Sequence, residues 1–243
     1  MHLLNRSPER GIAFEIVGCV TTEREFAEEV RVERRGIPTI PHPIAAFYER
    51  RGTSMYQDFA GREAYDRETL ALVEPFLADI LLLDGYLYLV TRPMLDRFRN
   101  RILNLHFSDL ALRTPAGCPR FPGLRAVRDA IDAGRRETRA TVHLVNEIPD
   151  GGTPIVRSWP FPVSPLVEDL RTQRALDVVE AYVFAHEQWM MRTVSGPLIA
   201  SALHLISRGL VDLDAIGSAS HKCHEPWILG GDGQLQEPGV EAA

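Results

Sequence analysis

Residues 79–84 read DILLLD and residues 101–106 read RILNLH, two apolar runs separated by a charged, helix-like stretch. A nearly all-apolar run of this length is typical of a parallel strand that is covered on both faces. Further short β-rich runs occupy Phe14–Thr21, Thr141–Val145 and Ile155–Ser158. They alternate with helix-like stretches of about 10 to 15 residues. This alternation predicts an α/β fold with a wound, mostly parallel sheet.

The composition sets limits on the class of protein. The chain has 243 residues, and its 27 Lys and Arg against 33 Asp and Glu give a formal net charge of −6. The acidic excess argues against nucleic-acid binding through bulk charge, because phosphate contacts call for a basic face. Its three cysteines, an odd number, argue against a disulfide framework. We therefore expect a cytoplasmic protein, a monomer or homodimer, with no nucleic-acid partner.

No segment has the length and polarity expected of a membrane span or a signal peptide. The most apolar stretches are Ile80–Val90 and Val194–Ile206, and both are shorter than the roughly 18 residues that a spanning helix needs. The cluster of His221, Cys223 and His224 has no second ligand pair at zinc-finger spacing. We expect neither a membrane partner nor a bound metal.

The organisation along the chain predicts one domain with additions at its C-terminal side. Residues 1–164 contain the alternating strands and helices and are expected to form the α/β domain. Helix-like sequence dominates residues 165–230, which we expect to pack on the same domain as an extension. Residues 231–243 are rich in Gly, Glu and Gln and predict a flexible tail.

Polar side chains follow the ends of two predicted strands. Asn104 and His106 are two residues apart, so both point to the same face of their strand. Asp150 precedes Gly151–Gly152 in a turn that follows the strand Thr141–Val145. Ligands of open α/β sheets bind beyond the carboxyl ends of the strands. An amide, an imidazole and a carboxylate at this edge suit acyl transfer through a tetrahedral intermediate. Taken alone, however, an N-x-H strand and a DGG turn are also common in structural roles, and that interpretation stays open here.

The order of these pieces is more specific than any one of them. The chain reads REAYDRETL, ADILLLDGYLYLV, ILNLH, FPGL, TVHLV and DGG in that order from Phe14 to Ser164. This order and spacing resemble the folate-dependent formyltransferases, and among them the glycinamide ribonucleotide formyltransferases of purine biosynthesis.

The resemblance implies a catalytic set of Asn104, His106 and Asp150, with His143 on the strand before the aspartate. It implies 10-formyltetrahydrofolate as co-substrate and formyl donor, and a small phosphorylated amine as acceptor. For the acceptor it implies Ser108 and a glutamate in the C-terminal helices. Two registers remain open there, Gln173–Arg174 or His186–Gln188, and we prefer the second, which selects Glu187. The folate-binding residues that it implies are Gly85, Tyr86, Leu87, Tyr88, Val90, Leu144, Val145 and Asn146.

The N-terminus departs from this family. The family opens with a central strand that leads into a Gly-rich loop, whose amides hold the substrate phosphate. Here Phe14–Thr21 matches the second strand of the family, and Gly11 is the only glycine before it. We therefore expect that the first strand and its loop are missing, either because the natural start lies upstream, which we favour, or because the chain has lost its phosphate site. Leu87 and Tyr88 also replace the usual Met-Arg, and Phe107 and Asp109 replace a Pro and an apolar residue.

Three other functions remain open from the sequence. The first is hydrolysis of 10-formyltetrahydrofolate, because the hydrolases share the Asn, His and Asp. The second is formyl transfer to another amine, such as an amino sugar nucleotide or an aminoacyl-tRNA. The third is a non-catalytic relative that keeps only the folate pocket, a hypothesis that the missing phosphate loop favours.

Overall fold

The computed structural model of the chain contains two compact units, and each is described by itself. The first unit comprises Met1–Asn104 and Val145–Glu147, and the second comprises Leu105–Leu144 and Ile148–Ala243. The predicted division at residue 164 stays a prediction. The structure describes residues 1–7, 11, 13–23, 35–54, 58–218 and 225–239.

The first unit is built on a sheet in which an all-apolar strand is fully covered. The four residues of Ile80–Leu83 are each 5% exposed or less, which explains their continuous apolar sequence. Its strands are β1 (His2–Arg6), β2 (Phe14–Thr21), β3 (Thr39–Pro41), β4 (Ile80–Leu83) and the first part of β5 (Ile102–His106). Its helices are α1 (Ile44–Arg50), α2 (Phe59–Val73), a 3₁₀ turn (Glu74–Phe76) and α3 (Arg92–Arg97).

The expectation that no strand precedes Phe14 is wrong. Strand β1 lies between β2 and β4 and pairs antiparallel with both, with His2 opposite Cys19 on one side and Leu82 on the other. Because β1 fills the central place, the ladder edges of β2 and β4 are both paired there. Leu3 and Leu4 are buried on the two faces of this strand. The Gly-rich loop, in contrast, has no counterpart in the sequence that follows β1.

The direction of β1 determines where the segment after it lies. Strands β2 and β3 pair in parallel, as do β4 and β5, so their carboxyl ends share one edge of the first unit. Arg6, the last residue of β1, pairs with Phe14 at the beginning of β2. The end of β1 at Arg6 therefore lies at the opposite edge, and His2 lies toward the carboxyl edge.

Helix α2 has local signals at both of its ends. The Asp58 side chain accepts a hydrogen bond of 2.7 Å from the Gly61 amide, an N-cap that satisfies one of the free amides of the first turn. After the 3₁₀ turn, Leu77 adopts a left-handed φ of 49°, which ends the helical path. Helix α1 buries Ile44, Phe47 and Tyr48.

The second unit combines short strands with one long helix, α6 (Leu176–Ser207). Its buried residues recur every three or four positions, from Val179 and Val183 to Leu205, so one face of the helix is in the core. The remaining strands are β6 (Glu137–Thr138), β7 (Thr141–Leu144), β8 (Pro154–Arg157), β9 (Phe161–Pro162), β10 (Trp227–Leu229) and β11 (Leu235–Gln236). The remaining helices are α4 (Ala126–Asp132), α5 (Leu166–Thr172) and α7 (Leu213–Ser218).

Two pairings in this unit bear on the predictions. Strand β8 pairs in parallel with β10 and antiparallel with β7, so the sheet is mixed and the α/β class is confirmed. Strand β11 pairs with β10, so Leu235–Gln236 form part of the sheet, and the flexibility of the 231–243 tail stays a prediction. The charged sequence near Glu23–Arg35 predicts a helix that Gly36 and Pro38 end. Most of that stretch lies outside the described residues, as do the His221–His224 cluster and residues 240–243. Within the part of the chain that the structure describes, no helix is both long and apolar enough to span a bilayer.

Candidate active site

The structure brings two of the three predicted catalytic residues together in the second unit. His106 is the last residue of β5, and its Nε2 lies 3.6 Å from Asp150 Oδ2. Both side chains are 14% exposed, so the pair is largely shielded from water but still accessible. A carboxylate at this distance favours the protonated imidazole electrostatically.

The turn that carries Asp150 has a constrained backbone. The Gly151 amide donates a hydrogen bond of 2.8 Å to the Ile148 carbonyl, which closes a tight turn. Asp150 has a left-handed φ of 54°, a conformation that Asp and Asn tolerate better than most residues. A Cβ on Gly151 would lie 2.6 Å from the Ile148 Cβ, so only glycine fits there.

The Asp150 carboxylate is held from a second direction. Its Oδ2 accepts a hydrogen bond of 2.7 Å from the backbone amide of Gly123, and a short bond to a charged acceptor is a strong one. Gly123 belongs to the FPGL segment, and its φ of +81° suits glycine. The same segment contacts the imidazole, because the His106 ring hydrogen-bonds to the backbone of Phe121.

His143 in β7 is the third titratable group of this cluster. Its Nδ1 lies 2.7 Å from the Leu144 carbonyl oxygen, which can only accept, so Nδ1 carries the proton. Its Nε2 lies 3.9 Å from Asp150 Oδ1, and its ring centroid is 6.4 Å from that of His106. Burial, followed by the charge of His106, lowers the pKa of His143, so we expect this imidazole to be neutral at pH 7.

The pKa of His106 is also lowered. Burial is the largest cause, and the Asp150 charge and the Phe121 backbone oppose it. Nε2 of His106 has no hydrogen-bond partner among the described residues, so we assign the Phe121 bond to Nδ1. In the neutral ring Nε2 is then the atom that can take up a proton, beside a carboxylate that would stabilise the charge.

Asn104 belongs to the first unit. It lies two residues before His106 in β5 and is opposite Leu83 in the parallel pairing with β4. Strand β5 is buried except for its polar positions, since Ile102 and Leu103 are at most 1% exposed. The polar alternation that predicted a site residue at Asn104 thus coincides with the less buried side of the strand.

The segment predicted to bind folate leaves β4 in the first unit as a turn with exposed apolar side chains. Gly85 adopts a φ of +65°, and Leu87 is 61% exposed. Tyr86 and Tyr88 pack edge to face with ring centroids 5.6 Å apart. Val90 packs on the core of this unit. The segment therefore exposes aliphatic side chains, and its contact with folate stays a prediction.

A buried ion pair holds the 85–90 segment in place. The Arg62 Nη2 atom lies 2.8 Å from Asp66 Oδ1 and donates hydrogen bonds of 2.6 Å to the Tyr86 hydroxyl and to the Leu89 carbonyl. Asp66 Oδ2 accepts from both the backbone amide and the hydroxyl of Thr91, each at 2.7 Å. This network fixes both ends of the 85–90 segment.

The other residues predicted to bind folate lie at the end of β7. Leu144, in the second unit, is buried, so its backbone is the part available for recognition. Val145 and Asn146 belong to the first unit and are half-buried. The Val145 amide donates a hydrogen bond of 2.9 Å to the Ile102 carbonyl, which holds this segment beside β5.

The two predicted acceptor residues, both in the second unit, have different environments. Ser108 is 4% exposed, and its hydroxyl has no hydrogen-bond partner among the described residues. Glu187 is half-buried on α6, and burial raises the pKa of its carboxyl. In the register that we preferred, His186 faces the core, where its Nε2 lies 2.7 Å from the Thr138 hydroxyl. The contact of Ser108 and Glu187 with an acceptor stays a prediction.

Comparison with known proteins decides the family. The family model described as formyl transferase matches residues 1–182. The chain belongs to this family. The resemblance inferred from sequence order is therefore confirmed, together with the α/β class.

Relatives of this formyl transferase chain include proteins of purine biosynthesis. The trifunctional purine biosynthetic protein adenosine-3 of Drosophila melanogaster is 29% identical over 170 residues, which are 70% of this chain and 11% of that protein. The phosphoribosylglycinamide formyltransferase of Escherichia coli is 31% identical over 105 residues, 43% of this chain and 45% of that enzyme. The chain thus spans less than half the length of either relative.

Solved structures give the same fold. Glycinamide ribonucleotide transformylase 1 from Symbiobacterium toebii has a TM-score of 0.57 at 27% identity, covering 83% of this chain and 78% of its own. Phosphoribosylglycinamide formyltransferase from Brucella melitensis has a TM-score of 0.52 at 29% identity, covering 82% and 83%.

Proposed function

We propose that this chain transfers a formyl group from 10-formyltetrahydrofolate to a primary amine, with glycinamide ribonucleotide as the first acceptor to test. The observation that carries the proposal is the His106–Asp150 pair at 3.6 Å, at the end of a strand in a member of the formyl transferase family. The names of the relatives support the acceptor. The exposed apolar segment 85–90 supports the folate site.

The proposed chemistry is a displacement at the formyl carbon. The amine nitrogen attacks this carbon, and its oxygen gains negative charge as a tetrahedral intermediate forms. The Asn104 amide and a protonated His106 would donate hydrogen bonds to that oxygen, and the loss of one such donor typically costs about 10²–10³ in rate. The bond from the carbon to folate N10 then breaks. The proton lost by the amine reaches N10 through Asp150, directly or through water.

The environment of His106 suits this role. In the free protein its lowered pKa keeps the ring largely neutral near pH 7. A proton on Nε2 becomes favourable when negative charge develops nearby. Asp150 already offsets part of the cost of burying a charged imidazole, so the additional negative charge has less to overcome. His106 thereby becomes a hydrogen-bond donor through Nε2 when that atom takes up a proton, which the developing negative charge favours.

The direction of β1 favours a second candidate acceptor. Arg6, at the end of β1, lies at the edge opposite the carboxyl ends of β4 and β5, and the sequence between β1 and β2 contains one glycine. The Gly-rich phosphate loop that the family resemblance implies is therefore not present in this stretch of sequence. An amine without a phosphate, or with its phosphate bound elsewhere, is the alternative acceptor.

The test is product release with different acceptors. The full chain is mixed with 10-formyltetrahydrofolate, and release of the deformylated folate is followed by absorbance with glycinamide ribonucleotide, with other amines and with water alone. Release that depends on an amine supports the proposal, and the best amine identifies the acceptor. Equal release with and without amine would show a hydrolase. Folate binding without release under any condition would show a non-catalytic relative.

A further inference from the structure

A short hairpin lies against the Asp150 turn within the second unit. Residues 112–120 form this 112–120 hairpin, in which Arg113 bridges to Pro119 and the Arg120 amide donates to the Leu112 carbonyl at 2.9 Å. Its tip is closed by a 2.9 Å hydrogen bond from the Thr114 amide to the Cys118 carbonyl. These bonds give the long loop after β5 a defined shape.

The hairpin is anchored where it leaves β5. The Leu110 amide donates to the Thr141 hydroxyl of β7 at 3.2 Å, and Leu110 is fully buried. The Asp109 carboxylate pairs with Arg157 at 3.3 Å and with Arg139 at 3.8 Å. The first residues of this loop are therefore held in place by buried and paired groups, and the hairpin that follows begins from a fixed position.

Arg113 connects this hairpin to the turn of the proposed catalytic aspartate. Its Nη1 donates to the carbonyls of Gly117, at 3.2 Å, and Gly151, at 3.4 Å, and its Nη2 donates to the carbonyl of Gly152 at 3.3 Å. Gly151 and Gly152 directly follow Asp150. A planar guanidinium fixes two neighbouring carbonyls better than a lysine ammonium can, because its donors form a rigid fork.

We propose that Arg113 is a positioning residue for Asp150. It holds the two carbonyls that follow Asp150, and so maintains the left-handed turn that directs the carboxylate toward His106. The inference rests on the proposed formyl transfer, because Asp150 acts in that reaction. Arg113 does not touch the reacting atoms, so its effect reaches the reaction through the placement of Asp150.

The Gly123 amide reports on this placement without any catalysis. It donates to Asp150 Oδ2 at 2.7 Å, and a short bond to a carboxylate shifts an amide proton downfield and slows its exchange with solvent. Arg113→Met should move the Gly123 resonance upfield in the NMR spectrum of the ¹⁵N-labelled full chain and speed its exchange. Arg113→Lys keeps the positive charge but loses the forked pair of donors. If the Gly123 resonance also moves upfield in Arg113→Lys, the effect comes from the lost hydrogen-bond geometry and not from the lost charge. Arg67→Met, which removes an exposed arginine 2.9 Å from Glu63, is the matched control.

The kinetic arm uses a double-mutant cycle. Arg113→Met should lower kcat about 10- to 100-fold, since small misplacements of catalytic groups have effects of this size. In an Asp150→Asn background the same substitution should change kcat less than about threefold, because coupled residues are not additive.

Three results would overturn the proposal. They are an unchanged Gly123 resonance in Arg113→Met, a shift in Arg113→Met that is absent from Arg113→Lys, and full additivity in the cycle. Failure of the proposed function has a different signature, since the unaltered chain would then transfer no formyl group while the Gly123 comparison still decides the role of Arg113.

Discussion

The His106 Nε2 atom lies 3.6 Å from Asp150 Oδ2, while the same oxygen accepts a hydrogen bond of 2.7 Å from the Gly123 amide. The Asp150 carboxylate is therefore held by a short backbone hydrogen bond and lies farther from the imidazole. Because the bond to Gly123 does not involve the imidazole, we expect the carboxylate to keep its position whether or not His106 carries a proton. Such an arrangement suits a group that stabilises a transient charge without being moved by it.

Asp150→Asn should lower kcat by about 10²–10⁴, the range for the loss of a general acid–base group. Asn has the same shape and tolerates the left-handed φ of 54°, so the fold should be retained and the missing charge should be the cause. Formyl transfer and thermal unfolding are measured on both proteins. Asp96→Asn, which removes an exposed carboxylate paired with Arg99, is the control. Undiminished transfer by Asp150→Asn would remove Asp150 from the mechanism.

The stability of the protein should decrease as the pH falls below about 6.5, the pKa of an unperturbed histidine. Burial lowers the pKa of both His106 and His143. As the pH falls, these two histidines therefore take up protons in the unfolded chain at a higher pH than in the folded chain. The free energy of unfolding then decreases between pH 6.5 and the lowered values. His143→Asn keeps a donor for the Leu144 carbonyl but does not titrate, so its stability should depend less on pH. Urea unfolding at pH 7.5, 6 and 5 measures the slopes, and equal slopes would contradict the prediction.

Asp84→Asn should reduce stability at pH 6 more than at pH 10. His2 Nε2 lies 3.7 Å from Asp84. Desolvation lowers the pKa of His2, but hydrogen bonds to Asp84 and Cys19 outweigh it and raise this pKa to about 9. A raised pKa gives stability that is fully present below pH 6.5 and is lost as the pH rises through about 9.

The control for this pair is Asp132→Asn, since Asp132 pairs with Arg171 at 2.6 Å and arginine does not titrate in this range. Its effect on chemical unfolding should be the same at both pH values. A pH-independent effect of Asp84→Asn would show that the His2–Asp84 pair does not stabilise β1.

Arg62→Met should reduce the free energy of unfolding by about 3–5 kcal/mol, because it leaves the carboxylate of Asp66 buried without its cation. Asp66 is 1% exposed. The substitution also removes the donor to the Tyr86 hydroxyl and to the Leu89 carbonyl. The KM for 10-formyltetrahydrofolate should therefore increase, since the 85–90 segment loses its support.

Tyr86→Phe separates these two effects of the Arg62 substitution. It removes one hydrogen bond of the segment and leaves the ion pair intact, so we expect a change in KM with a loss of stability of about 1 kcal/mol. Denaturant unfolding and steady-state kinetics are measured for each variant. An Arg62→Met protein of unchanged stability would contradict the assignment of this ion pair.

The parts of the fold that sequence predicted are those with local signals. Ile80–Leu83 has four consecutive buried apolar residues, and Asn104, His106 and Asp150 stand in motifs next to strand ends. Strand β1 was missed because its five residues, HLLNR, are too few to show a period. It pairs with β2, the next strand along the chain, and with the distant strand β4. The sequence does not predict the contacts of Arg113, because its partners are backbone carbonyls up to 39 positions away. Every residue has a backbone carbonyl, so no residue type at those positions indicates the contact.

Gly151→Ala should lower kcat strongly while reducing the free energy of unfolding less, because the turn that places Asp150 must open to admit a methyl group. The new Cβ would lie 2.6 Å from the Ile148 Cβ and 3.1 Å from its carbonyl oxygen, so the backbone has to shift and Asp150 shifts with it. We expect a decrease of about 10²-fold in kcat, the size of effect seen for a misplacement of about 1 Å.

Gly196→Ala is the matched control for Gly151→Ala. Gly196 lies within α6, and a Cβ there would meet no atom within 4 Å. Alanine should therefore stabilise the chain by about 0.5–1 kcal/mol, since it restricts the unfolded state and favours the helix. Formyl transfer by this control should equal that of the unaltered chain. If Gly151→Ala also kept its full kcat, the geometry of the Asp150 turn would not limit the reaction.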